Sequence, residues 1–102
     1  MKILALEKET DGVKPEQCTP YLKAEAEQVW KLVQDNLIRE IYFRSDRSEA
    51  VLMLECADPG EAHRILETLP LVKKGLIDFE LIPLKPYPGF DRLFGDKAPN
   101  NI

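Results

Sequence analysis

Apolar and polar residues alternate with a period of two in four stretches of the chain, and between them apolar residues recur every three or four positions. Lys2 to Lys8 reads as a strand, and Glu9 to Cys18, with Asp11-Gly12 and Pro15, as a loop. Thr19-Pro20 predicts a helix cap followed by proline at the first helical position. Leu22, Ala26, Val29, Trp30, Val33 and Leu37 then form one apolar stripe, which makes Trp30 a packing residue. Lys23, Glu25 and Glu27 fall on the solvated side, and Asp35-Asn36 marks the exit. Ile38 to Arg44 and Glu49 to Cys56 are rich in strand formers and are joined by the turn formers Ser45 to Ser48, a hairpin. Asp58-Pro59-Gly60-Glu61 opens a second helix with Ala62, Ile65, Leu66 and Leu69 inward. Pro70 and Gly75 bound its exit, and Leu76 to Leu84 is a last strand whose Pro83 suits a sheet edge.

The order strand, helix, strand, strand, helix, strand with right-handed crossovers predicts an α+β fold. It is a ferredoxin-like βαββαβ domain over residues 1–85, a four-stranded antiparallel sheet with both helices on one face. Residues 86–102 form an irregular tail carrying Tyr87, Phe90, Leu93 and Phe94, expected to pack on a partner subunit and to fray from Ala98 onward.

Alternation divides each strand between two faces. Leu4, Leu6, Ile41, Phe43, Leu52, Leu54, Cys56, Ile77, Phe79 and Leu81 form the more apolar set, expected under the helices. The other set mixes Ile3, Ala5, Ile38, Val51, Met53, Ile82 and Leu84 with Glu7, Glu40, Glu55, Asp78, Glu80, Tyr42 and Arg44. Burying large apolar side chains is worth ~1.5–3 kcal/mol each, and both helices are already used. A second copy of the chain is therefore expected on this face, giving a homodimer that closes a dimeric α+β barrel.

Enclosure there would raise the pKa of Glu40 or Glu55 and make it a general acid or base. Arg44 would fork a substrate carboxylate and Tyr42 donate a hydrogen bond. The plainer alternative leaves these glutamates at a wet rim, with Arg44 paired to one of them. His63, at the edge of the second helix stripe, is either a half-buried hydrogen-bonding side chain or a carrier of protons or contact to haem.

Composition narrows the classes. The chain has 102 residues, 44% hydrophobic and 31% charged, as a single globular domain does. Its 14 Lys and Arg against 18 Asp and Glu exclude a nucleic-acid surface built on basic excess. No apolar run nears the about 20 residues of a membrane helix, so no membrane partner is expected. Cys18 and Cys56 stand far apart with a single histidine, which argues against zinc and against a disulfide framework and for the cytoplasm.

The stretch from Glu61 to Leu71 (EAHRILETLPL) resembles the E-x-L-H-x-x-L-x-x-L-P-L segment of the muconolactone isomerase family. Leu76 to Leu84 is similar to that family's last strand, and Leu22 to Glu25 to the start of its first helix. The resemblance implies a ferredoxin-like protomer that dimerises through its sheets, higher oligomers of dimers, and an allylic proton shift in a small unsaturated lactone acid without a cofactor. Lys23, Glu25 and His63 fall on matching positions, Lys23 as a substrate-binding residue. The expected activity is a cofactor-independent isomerase acting on a small anionic lactone or enol acid. The alternatives are a non-catalytic ligand-binding or interaction module and, by analogy alone, a haem-using activity.

Overall fold

The computed structural model describes residues 1–95. Strand β1 (Lys2–Glu9) leads through helix α1 (Pro15–Cys18) and a 3-10 turn (Thr19–Tyr21) into α2 (Leu22–Gln34). The hairpin β2 (Ile38–Phe43) and β3 (Ala50–Glu55) follows, then α3 (Pro59–Leu66), α4 (Pro70–Lys73), β4 (Ile77–Pro83) and a 3-10 turn (Gly89–Leu93). The strands lie in the order β2-β3-β1-β4, each antiparallel to its neighbours. This is the expected ferredoxin-like α+β architecture, with Pro83 on an edge strand. The fraying expected from Ala98 onward lies outside the described residues.

Local chemistry sets the element boundaries. Pro15 starts α1 earlier than expected, and the Thr19 hydroxyl donates to the Pro15 carbonyl (3.3 Å) rather than capping α2. Asn36 takes the left-handed exit after α2, with φ 62°. Pro70 does more than end a helix: it occupies the first turn of α4, which the sequence pattern did not separate.

The core lies between the sheet and the helices. Ile3, Ala5, Ile38, Leu52, Leu54, Ala62 and Leu66 pack there with Leu32, Ile65 and Leu69. Leu52, Leu54, Cys56, Ile77, Phe79 and Leu81 occupy the helix face as expected. Strand β1 is turned over: Ile3 and Ala5 face the helices at 0% exposure, and Leu4 and Leu6 face the open side. Both alternate sets of β1 are apolar, so periodicity offered no choice.

Ile38 also joins the core, because the register slips between Ile38 and Glu40: Ile38 pairs with Leu54 and Glu40 with Met53. A bulge at Arg39 puts Ile38 on the helix face while leaving Glu40 and Tyr42 on the open one. The inward line of α2 is Val29, Leu32 and Val33, so Trp30 is not a core residue.

Candidate active site

Glu7 lies on the helix side of β1 near the end where the core opens, with Glu9 two residues further on lining the same cavity. The Glu7 carboxylate accepts the Ala50 N–H (3.1 Å) at the start of β3. Burial pushes its pKa above the ordinary value, and the negative charges of Glu49, Glu9 and Glu25 push the same way against the lowering effect of the Ala50 bond. Glu25 comes from α2, on the same helical line as Val29 and Leu32. It accepts the Leu71 N–H (3.0 Å), one of the first-turn donors that α4 cannot satisfy itself. Burial raises the Glu25 carboxyl too, opposed by that bond.

Glu7 opens into a cavity of about 400 Å³ on the helix side, walled by Val13, Leu22, Phe43, Leu71, Leu76 and Ile77. Lys14 and Cys18 also line it. The wall is built from a small second cluster, Leu71, Leu76 and Ile77 backed by Val13, Tyr21 and Phe79. An apolar enclosure around a carboxyl that holds its proton more tightly than in water favours its use as a proton acceptor and donor.

The residues singled out from sequence are spread over the molecule. Glu40 and Tyr42 meet on the open sheet face, where the Tyr42 hydroxyl donates to Glu40 (2.9 Å) beside a depression of about 150 Å³ with Leu4, Val51 and Met53. That bond raises the phenol pKa. Arg44 sits at the β2–β3 turn with its fork on Asp46 (2.9 and 2.7 Å) and Nη1 3.8 Å from Glu49. Glu55 lies at the far end of β3, paired with the terminal amine at 2.8 Å, which holds its carboxyl below the usual range. His63 is exposed on α3, with Nε2 2.7 Å from Glu67, beside a shallow groove of about 560 Å³. Lys23 is exposed at the start of α2.

Of the six, the structure brings only Glu40 and Tyr42 into contact. Glu7 and Glu25 are not among the six: the expectation for β1 puts Glu7 on the open face, and Glu25, although the family resemblance matches it, falls on the solvated side of its helix in the periodicity. The signal for Glu25 was its spacing of four and seven from Val29 and Leu32. Among the described residues, no group of three His, Cys, Asp or Glu is placed to hold a metal ion. Among the described residues, no helix is long and apolar enough to cross a membrane.

No family model and no curated protein matches the chain. Among solved structures it is similar to 5-chloro-2-hydroxyhydroquinone dehydrochlorinase (TftG) from Burkholderia phenoliruptrix AC1100, in complex with 2,5-dihydroxybenzoquinone. The TM-score is 0.68 at 18% identity, over 85% of this chain and 96% of that one. A likeness of this degree establishes a shared fold.

Proposed function

We propose that the protein is a small-molecule enzyme of the isomerase kind, in which Glu7 moves a proton on an acidic unsaturated substrate without a cofactor. The observation that carries this reading is the half-buried Glu7 carboxyl, its pKa raised, opening into an apolar-walled cavity of about 400 Å³. That volume suits a single small ring. As base, Glu7 takes the proton from a carbon next to a conjugated carbonyl, and the electron pair moves onto the carbonyl oxygen as an enolate. The same carboxyl returns the proton to another carbon of the conjugated system, so no electrons are gained or lost and Glu7 is regenerated. Lys14 on the cavity wall offers a cation to an acidic substrate. Arg44 stays outside this cavity, its charge taken up by Asp46 and Glu49. The other residues singled out from sequence lie outside this cavity, and this reading gives them no direct step.

Two likenesses support the class. The second helix and last strand resemble muconolactone isomerases. A protein of similar fold is a dehydrochlorinase seen with a dihydroxybenzoquinone, a small polar ring. The open sheet face, with Leu4, Leu6, Val51, Met53 and Ile82 partly exposed, takes a second copy of the chain in this reading.

Solvent deuterium incorporation into a panel of unsaturated lactones and enol acids tests the chemistry. The wild type is expected to exchange at least one member, and Glu7→Gln to slow that exchange about 100- to 10,000-fold. No exchange by the wild type across the panel would falsify the enzyme reading. A ligand-induced rise in melting temperature without exchange would make the protein a binding module instead.

A further inference from the structure

On α2 the residues Leu22, Ala26 and Trp30 follow one another at intervals of four, so they form a line along one flank of the helix. Leu22 is 51% and Trp30 61% exposed, because the inward line is the neighbouring one. Beside that flank, Ile41 and Phe43 stand on the helix face of the edge strand β2, yet remain 43% and 71% exposed, since no helix roofs them. Leu22 and Phe43 wall the same cavity, so flank and strand meet at that end and leave a gutter between them.

The segment after β4 is the matching half. Pro86 and Pro88 stiffen it, and the Tyr87 ring meets Phe90 edge-on at 5.0 Å. Gly89 is buried against the Tyr87 ring, where a Cβ would collide with it. The segment is thus a preformed knob. Its Phe90, Leu93 and Phe94 are 63%, 73% and 83% exposed. In the 3-10 turn Gly89–Leu93, a spacing of three puts Phe90 and Leu93 on one side.

We infer that the knob of one chain docks in the α2–β2 gutter of a second copy. In this structure the knob does not dock within its own chain, since its apolar side chains stay exposed. Strands β4 and β2 are opposite edges of the sheet, and α2 and α3 stand between them on the helix face. The knob instead extends away: the radius of gyration is 16.9 Å, against about 13 Å for a compact chain of this length. The apolar surface is sufficient for a stable pair. At roughly 100 Å² from each of Leu22, Trp30, Ile41, Phe43, Tyr87, Phe90, Leu93 and Phe94, one contact removes about 800 Å², and its symmetric twin brings the total to about 1,600 Å². Helical anchors laid in an apolar groove are a recurring mode of recognition. Because Leu22 and Phe43 belong to both gutter and cavity, the partner's knob roofs the cavity that contains Glu7. This last consequence rests on the reading of that cavity as the active site; the docking itself does not.

Trp30 is the chain's only tryptophan and therefore reports on the gutter. It lies away from the open sheet face, so association through the sheets leaves its emission unchanged. In the wild type its emission is expected to be blue-shifted and poorly quenched by acrylamide. In a full-length Phe90→Ser, Phe94→Ser variant it shifts to the red, quenching increases, and Cys18 alkylation speeds up several-fold. Mixing that variant with a Trp30→Phe chain, which has an intact knob and no tryptophan, restores the blue-shifted emission. Identical emission and quenching in wild type and knob variant would leave the gutter to some other partner and overturn the inference. A red shift that mixing fails to reverse would mean docking within one chain, and overturns it equally.

Discussion

A carboxyl carried into an apolar wall keeps fewer water contacts than it has in the unfolded chain, so Glu7 and Glu25 bind their protons more tightly folded than unfolded. The stability this contributes is fully present below the ordinary glutamate value of 4.5 and is lost as pH rises through the raised folded values. Glu7→Gln keeps an oxygen for the Ala50 N–H and has nothing to ionise. It is expected to be more stable than the wild type at neutral pH, with the difference shrinking in acid; urea melts across that range measure it. A difference independent of pH would show that Glu7 is not desolvated. Little of this was legible in the sequence. One residue of register decides whether Glu7 meets water or Leu71 and Ile77, and the apolar pattern of β1 fits either face.

Elements were more legible than sites, because caps and turn residues act within a few positions of themselves. Asp58 accepts the Glu61 N–H at 2.8 Å, and Pro59 begins α3, as the cap signature required. Asp58→Ala is expected to lower stability by about 1 kcal/mol, read from urea unfolding; an unchanged midpoint would mean that the helix start is held by packing instead. The β4 edge is similarly self-contained: Pro83 offers no N–H, and the Asp78 carboxylate takes the Phe79 N–H at 2.8 Å. Helix α2 shows where local reading stops. Two neighbouring apolar lines run along it, one through Trp30 and one through Leu32. The contacts of Glu25 with Leu71 and of Gln28 with Thr68 (2.9 Å) belong to the second.

At the scale of the molecule, one sheet with helices on a single face leaves the other face without a cover of its own. Leu6 and Met53 stand on that face with charged residues around them, Lys8 and Glu80 paired at 3.6 Å among these. Covering a handful of such side chains at ~1.5–3 kcal/mol each is enough to hold two chains together. The wild type is accordingly expected to scatter light as a dimer or a multiple of one. Leu6→Glu puts a second carboxylate beside Glu80, and the particle should fall to a lower mass while keeping its circular dichroism. A wild-type chain that stays monomeric at micromolar concentration would sink the argument from the open face.

The order of the four strands and two main helices, the Asp58 cap, the Asn36 exit, the antiparallel pairing and the shortage of helices to cover two faces follow from the sequence alone. Each depends on neighbours in the chain or on a count of elements. Which apolar line of α2 turns inward, which face of β1 meets the helices and how the bulge at Arg39 re-aims Ile38 were settled only in three dimensions. Those choices depend on side chains distant in sequence fitting against one another. The cavity around Glu7 is made by such a fit: β1, α1, α2, α4 and the edge of β2 each supply part of its wall, and no single segment contains its pattern.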